Sequence, residues 1–205
     1  AETRDECTLV GELFAGRTYT EVYRDAGLLT DRAVFGHGIY LKEDDHRVLA
    51  DHGSAVAHCP TANSFLMSGR MDWAEARGAG VKLALGSDIG GGYEVSMVRV
   101  ARAMIETAGA LSIDNASRGR GDDAGALPGV AQAWHQITAE NARTLKWNDA
   151  GTLAAGKAAD LVMVRPDGDV MRTLFSGRHP DPLAGLMFGW DDRWVRATMV
   201  GGVAV

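Results

Sequence analysis

The sequence predicts an α/β fold that is built on a parallel sheet and followed by a small β-element. Three apolar runs each end in a polar residue that could carry chemistry, namely His37, His58 and Asp88. Segments with a helical pattern separate these runs. Because strands that alternate with helices are joined by right-handed crossovers, this order favours a parallel sheet or part of a (β/α) barrel.

Two short helices are predicted before the first strand. Apolar residues at positions 9–14 form the stripe of a short amphipathic helix, which Gly16 ends. Thr18, with Glu21 three residues later, predicts a capping box at the start of a second helix. The chain is therefore expected to enter the sheet only after residue 27.

Strands and helices then alternate up to a strong helix at 97–105. The predicted strands are residues 33–38, 54–60 and 81–88, and the predicted helices between them are residues 42–53 and 71–80. His46 and His52 lie on the polar face of the helix 42–53 and are expected to be solvated. Polar residues at the carboxyl ends of strands match the active-site mouth of a (β/α) barrel, but a closed barrel needs about eight strands and three are visible.

The C-terminal part is less regular. Residues 114–128, which include the Arg118–Asp123 stretch rich in Gly, Arg and Asp, predict an exposed, mobile loop. Residues 130–147 predict either one helix or two, the second capped near Thr138. A strand at 159–164 and a closing hairpin of 194–200 with 203–205 follow, with no helices expected between these late strands. We therefore predict two domains, residues 1–150 and 151–205.

Composition and charge exclude several classes of protein. The chain has 205 residues, is 46% hydrophobic and carries a net charge of -6, which argues against a nucleic-acid partner. It has no run of about 18 apolar residues and therefore no predicted membrane span. The polar first residues are unlike a signal peptide. Cys7 and Cys59 lie far apart, which favours a reduced, cytoplasmic compartment.

The residues at the strand ends leave several chemical interpretations open. Asp88 suits a metal ligand, a general base or a helix cap. His37 lies between glycines and is either catalytic or a core histidine, whereas His58 fits a structural role better. The sequence contains no H-x-H, H-E-x-x-H or C-x-x-C, so this chain does not complete a zinc site by itself. It also lacks G-x-G-x-x-G and G-x-S-x-G, which argues against a nucleotide cofactor and an α/β-hydrolase.

Four motifs together resemble the amidohydrolase superfamily, and within it the enzymes that deaminate guanine. They read FGHGI at 35–39, AHCPTAN at 57–63, LGSDIGGG at 85–92 and AGKAADLV at 155–162. The resemblance covers nearly the whole chain in the family's order. It implies the C-terminal half of a (β/α)8 TIM-type barrel, about strands six to eight, followed by the C-terminal strands of a small β-sandwich.

The resemblance also implies roles for individual residues. Asp88 matches a zinc ligand that contacts the substrate, and His37 matches the histidine beside the metal-bound water. Glu2 matches the Glu of an H-x-x-E motif, whose His would fall two residues before Ala1. Glu2 would then bind substrate and shuttle a proton. The expected site residues are Glu2, His37 and Asp88, with zinc as the cofactor.

The implied activity is the hydrolysis of guanine to xanthine and ammonia in purine catabolism, by a protein expected to be a cytoplasmic homodimer. Because most of the zinc ligands are absent, we expect this chain alone to be inactive and to hold zinc weakly. A half-barrel also leaves two open strand edges, which favours association. Alternatives are a deaminase of another aminated heterocycle (8-oxoguanine, pterin or triazine) or a non-catalytic half-barrel that needs a partner chain.

Overall fold

The computed structural model describes residues 1–120, 126–176 and 181–205 of an α/β protein. Helices α1 (Arg4–Leu13) and α2 (Tyr19–Asp25) come first. Each begins with a capping box. The Thr hydroxyl oxygen accepts from the backbone N–H of a Glu three residues later, and the Glu carboxylate accepts from the backbone N–H of that Thr. The predicted capping box of Thr18 and Glu21 is confirmed.

A parallel sheet follows, in the order β1-β2-β3. Its strands are β1 (Val34–Gly36), β2 (Ala55–His58) and β3 (Lys82–Leu85), with Phe35 opposite Val56 and Val56 opposite Leu83. Helices α3 (Glu43–Asp51), α4 (Pro60–Phe65) and α5 (Trp73–Gly78) connect them. Pro60 ends β2 as predicted and also starts α4, because the first turn of a helix does not need its missing N–H.

His46 on α3 is buried, so the prediction that it is solvated is wrong. Its side chain is only 4% exposed, and Nδ1 lies 3.5 Å from Oε1 of Glu75 on α5. The polar face of α3 is covered at this position by α5. His52, at the end of the same helix, is exposed as predicted.

Helix α6 (Met97–Ser117) extends beyond its predicted end. Residues 114–117 are helical rather than part of a loop, and Asp114 forms an ion pair with Arg70. The buried face of the helix extends to Ala108, beyond the predicted end at residue 105. Asp122 and Asp123 of the predicted loop lie outside the described residues.

A continuous helical segment follows, formed by α7 (Val130–His135), a π-helical turn (Gln136–Glu140) and α8 (Asn141–Thr144). The alternative of a second helix capped near Thr138 is wrong. The Thr138 hydroxyl donates to the Trp134 carbonyl at 2.8 Å, so it bonds within the segment instead of starting a new helix.

A second, antiparallel sheet has the order β4-β5-β6. Its strands are β4 (Leu161–Val164), β5 (Val195–Val200) and β6 (Val203–Ala204), and the predicted hairpin of β5 and β6 is confirmed. The prediction that no helices separate these late strands is wrong. Helices α9 (Gly168–Phe175) and α10 (Pro182–Phe188) lie between β4 and β5.

The main core lies between the parallel sheet and the helices that cover it. Its fully buried members include Val56 of β2, Val100 and Met104 of α6, and Met187 of α10. Met187 therefore places α10 against the same core as the first sheet. The predicted division between residues 150 and 151 stays a prediction. Within the described ranges, no helix is both long enough and apolar enough to cross a membrane.

Candidate active site

His37 directly follows β1 and adopts a left-handed backbone conformation, with φ of 67°. Its N–H still donates to the Ala57 carbonyl of β2 at 2.9 Å, so the turn stays attached to the sheet. The next residue, Gly38, has φ of 62°, and a Cβ there would lie 2.6 Å from Cγ1 of Val56. The chain can therefore turn sharply after the strand and expose the imidazole at the end of the sheet.

Glu2 and His37 are neighbours although 35 positions separate them. Oε2 of Glu2 lies 3.6 Å from Nε2 of His37, and both side chains are partly exposed, at 27% and 18%. The other carboxylate oxygen accepts a hydrogen bond of 2.7 Å from the Ser68 hydroxyl. A carboxylate held beside an imidazole, with access to solvent, can pass protons to and from a ligand.

Asn63 holds the other side of the His37 ring. Its Oδ1 lies 2.8 Å from Nδ1 of His37, and Asn63 is buried in α4, the helix that follows β2. In the tautomer that carries its proton on Nδ1, the ring donates to this amide oxygen, and its Nε2 faces Glu2. Neither Asn63 nor Ser68 is among the site residues that the sequence predicts. Asn63 lies in the AHCPTAN motif, whereas no sequence pattern distinguishes Ser68.

Asp88 lies three residues after β3, in a tight turn formed by the glycines. Its carbonyl accepts from the N–H of Gly91 at 3.1 Å and of Gly92 at 2.6 Å. A Cβ at Gly91 would lie 2.8 Å from Oδ2 of Asp88. The triple glycine therefore lets the backbone fold back against the carboxylate, which any larger residue would displace.

Two of the predicted site residues have strained backbone conformations. The described residues contain five non-glycine positions with positive φ: Ala15, His37, Met67, Asp88 and Lys146. Such conformations cost about 1–3 kcal/mol each and persist where the surroundings fix them. Two of the three predicted site residues belong to this small group, which supports a functional interpretation of both.

Cys59, which directly follows β2, has a buried thiol with a raised pKa. The pKa of the thiol is raised to about 11, mainly by burial and further by the charges of Asp88 and Glu2. A backbone hydrogen bond with His37 acts in the opposite direction and lowers the pKa. His37, Cys59 and Asp88 each follow one of the three parallel strands, so they lie at the same edge of the sheet. That Asp88 works together with Glu2 and His37 stays a prediction.

His58 is uncharged. It is fully buried at the end of β2, and this burial, followed by the charge of His37, lowers its pKa to about 3. Its Nδ1 has no hydrogen-bond partner among the described residues. These features agree with the structural interpretation of His58, as a neutral ring packed beneath the mouth.

A cavity of about 270 Å³ opens beside Glu2 and His37, between the first two helices and β1. Polar groups line part of it, including Glu6 and Tyr19, whose hydroxyl donates to Oε1 of Glu6 at 2.8 Å. This hydrogen bond is the main reason that the pKa of Tyr19 lies above its ordinary range. The Glu2–His37 pair therefore borders a space that a small ligand can enter.

The described residues do not by themselves fit a zinc ion. No group of three or more His, Cys, Asp or Glu side chains among them could hold a metal. Nδ1 of His37 is engaged with Asn63, and its Nε2 faces Glu2. A catalytic zinc takes about three protein ligands and a water, so further ligands would have to join Asp88.

Comparison with known proteins identifies the family. The family model described as "Amidohydrolase family" matches residues 1–205. The chain belongs to the amidohydrolase family. Guanine deaminase of Rattus norvegicus is 28% identical to this amidohydrolase over 213 residues, which cover all of this chain and 45% of the relative. The 8-oxoguanine deaminase of Pseudomonas aeruginosa is 33% identical over 202 residues, which cover 98% of this chain and 41% of the relative.

Solved structures show the same likeness. Guanine deaminase of E. coli superposes on this amidohydrolase with a TM-score of 0.83 at 29% identity, over the whole of this chain and 46% of the other. An adenosine deaminase of Xanthomonas campestris, solved with bound zinc, gives a TM-score of 0.80 at 26% identity, over 99% and 43%. This amidohydrolase therefore spans less than half the length of the relatives it matches.

Proposed function

We propose that this amidohydrolase takes part in the hydrolytic deamination of guanine to xanthine and ammonia. The observation that carries the proposal is the Glu2–His37 pair, whose side chains approach to 3.6 Å beside the cavity at the end of β1. Asp88 follows β3 at the same edge of the sheet. Guanine deaminases that align with the whole chain support it. The chain spans less than half the length of those proteins. Similarity to them therefore does not establish the activity, which we propose from the site.

The same proposal includes the wider architecture. The parallel strands β1, β2 and β3 would form part of the C-terminal half of a (β/α)8 barrel, and β4, β5 and β6 part of a small β-sandwich, with the division near residue 150. The parallel order of the first sheet and the helical crossovers support a barrel segment. The antiparallel hairpin supports a separate second sheet.

Each site residue has a task in this reaction. Water adds to C2 of guanine, a ring nitrogen gains a proton, and the exocyclic amine leaves as ammonia. Glu2 would carry the proton to the ring nitrogen and then to the amine, because Ser68 and His37 fix its carboxylate. His37 would orient the attacking water, and Asp88 would take its first proton. Both protons of the water would then pass through Glu2, one to the ring nitrogen and one to the departing amine, so that Asp88 and Glu2 end as they began.

Zinc is the metal that we propose for the complete site, with Asp88 as the ligand from this chain. The zinc of the Xanthomonas adenosine deaminase supports a metal in this fold. The described residues do not complete such a site, so the proton-transfer roles above are derived from Glu2, His37 and Asp88 alone.

The test is guanine turnover by the product of the whole reading frame that carries this sequence. We expect one ammonia per xanthine. Glu2→Gln should lower kcat by about 10²–10⁴-fold, the usual contribution of a positioned acid–base group. Glu12→Gln, at an exposed position of α1, is the matched control and should leave the rate unchanged. An enzyme that ignores guanine, or a Glu2→Gln variant with normal kcat, would refute the proposal.

A second candidate substrate is 8-oxoguanine. The Pseudomonas aeruginosa relative with that name is 33% identical over nearly the whole chain, a higher identity than the 28% of the Rattus norvegicus guanine deaminase. Both purines carry the same exocyclic amine, so the chemistry of Glu2, His37 and Asp88 serves either. The ratio of kcat/KM for guanine to that for 8-oxoguanine decides between them, and a ratio below one would favour the second candidate.

A further inference from the structure

The outer edge of β3 is closed by side chains rather than by another strand. One side of β3 pairs with β2, and the N–H of Gly86 continues this pairing to the His58 carbonyl at 3.0 Å. The other side faces the segment of α7, the π-helical turn and α8. The expectation that a half-barrel leaves this edge open is therefore corrected for β3.

Asn141 bonds to this edge as a neighbouring strand would. Its Oδ1 accepts from the Leu85 N–H at 2.9 Å, and its Nδ2 donates to the Leu85 carbonyl at 2.9 Å. One amide side chain thus satisfies both backbone groups of the last residue of β3. Backbone groups at a buried edge need such partners, because an unpaired one costs about 1–3 kcal/mol.

Two further side chains complete this clamp on β3. Gln136 is buried and donates to the Leu83 carbonyl at 2.8 Å and to Oδ1 of Asn141 at 3.3 Å. The second bond fixes which way the Asn141 amide points. The Thr144 hydroxyl also donates to the Leu83 carbonyl, at 3.2 Å.

The π-helical turn explains how these residues reach the same edge. Gln136 and Asn141 are five positions apart, and an α-helix would separate them by about 140° around its axis. A π-helical turn bonds residue i to residue i+5, which brings positions five apart onto one side. The irregular turn therefore places two amide side chains against β3, where a regular helix would place one.

The clamp acts on the backbone that carries Asp88. Leu85 precedes Asp88 by three residues, and Asp88 has φ of 53°, a conformation that must be held by its surroundings. After Asp88, the N–H groups of Gly91 and Gly92 bond to its carbonyl. Before Asp88, the strand end is fixed from the outside by Asn141. The strained turn thus has an anchor on each side.

We propose that Asn141 is a positioning residue, which fixes the end of β3 and thereby the place of the Asp88 carboxylate at the mouth. Its consequence for catalysis rests on the proposed deaminase function. The positioning itself is a property of this chain and can be measured without turnover.

The first test measures amide hydrogen exchange at Gly92 in the chain. Gly92 is buried and its N–H bonds to the Asp88 carbonyl, so its exchange reports whether the turn stays closed. Asn141→Leu keeps the approximate size and removes both bonds to Leu85. We expect Gly92 to exchange at least about tenfold faster, while Val56 in β2 changes little. Asn148→Leu, at an exposed position, is the matched control.

A folded Asn141→Leu variant with normal exchange at Gly92 overturns the inference. If that variant does not fold, Asn141→Asp replaces it, since it keeps an acceptor for the Leu85 N–H and loses the donor. The same criterion at Gly92 then applies. If neither variant folds, Asn141 serves folding rather than positioning, and the inference is wrong.

The second test compares kcat and KM of Asn141→Leu with those of the parent in the active enzyme. A carboxylate displaced by about 1 Å should lower kcat by about 100-fold. KM should stay close to normal, because Asn141 contacts backbone and not substrate. A loss confined to KM, or no loss of kcat, contradicts the positioning role. If the parent protein does not turn over guanine, the proposed function is refuted. The hydrogen exchange at Gly92 still tests whether Asn141 positions the end of β3.

Discussion

At the scale of single residues, His58 makes folding depend on pH. Its folded-state pKa is about 3, lowered by burial and then by the charge of His37, whereas an ordinary histidine titrates near 6.5. Between these values the unfolded chain binds a proton that the folded chain does not. The contribution of His58 to stability is therefore complete above pH 6.5 and declines as the pH falls toward 3.

We expect the unfolding free energy to fall by about 1 kcal/mol between pH 6.5 and 5.5 through His58 alone. The variant His58→Gln cannot gain a proton there and should lack this part of the decline. Urea unfolding of both proteins at the two pH values measures the difference. Parallel pH profiles for the parent and His58→Gln would contradict a buried, neutral His58.

The sequence allowed His37 and Asp88 to be selected because each follows an apolar run, and strand ends in a parallel sheet meet at one edge. It gives no sign of Ser68, since Ser68 lies 66 positions from Glu2 and reaches it only through folding. The prediction for His46 is wrong for a similar reason. The helical pattern shows which face is polar, but not that α5 covers it.

At the scale of elements, the start of α2 depends on Thr18. Its hydroxyl accepts from the Glu21 N–H at 3.3 Å and donates to Oδ1 of Asp45 at 2.8 Å, so it joins α2 to α3. We expect Thr18→Ala to lower the unfolding free energy by about 1–2 kcal/mol, because it removes a cap and a partner of a buried carboxylate. The control is Thr152→Ala at an exposed position. Equal denaturation midpoints for the two variants would show that the cap is dispensable.

Two glycines should respond to alanine in opposite directions. A Cβ at Gly92 would lie 2.9 Å from the Ala62 Cβ and 3.0 Å from the Ser87 carbonyl oxygen, so Gly92→Ala should destabilise by about 1–3 kcal/mol. Gly109 lies inside α6 with nothing within 4 Å of its added Cβ. Gly109→Ala should stabilise by about 0.5–1 kcal/mol. Thermal unfolding of both variants checks the signs, and a stabilised Gly92→Ala would show that the turn is looser than described.

Local signals predicted the elements that depend on local chemistry, and missed those that depend on packing. The Thr18 capping box and the Gly201-Gly202 hairpin follow from the chemistry of caps and turns. The π-helical turn does not follow from local chemistry, because it depends on the bonds of Gln136 and Asn141 to the edge of β3. Helix α10 was missed because its buried residue, Met187, packs on a distant core.

At the scale of the whole molecule, the two edges of the parallel sheet differ. The β3 edge is closed by Asn141, Gln136 and Thr144. At the other end of the strand order, β1 pairs with β2 on one side and with no second strand among the described residues, and Val34 of β1 is exposed. We therefore expect any association of the chain through a sheet edge to use β1 rather than β3.

The metal content of the purified chain is the broadest prediction. Because no three potential ligands cluster among the described residues, the chain alone should retain far less than one zinc after dialysis, and should turn over guanine no faster than the buffer. Elemental analysis of the parent and of Asp88→Asn measures this, since any zinc held at the proposed site depends on that carboxylate. One zinc per chain that survives dialysis and is lost in Asp88→Asn would show that ligands assemble around Asp88 within this chain. Such a result would also make the isolated chain a candidate catalyst, whereas equally low zinc in both proteins means that the ligands completing the site come from outside the described residues.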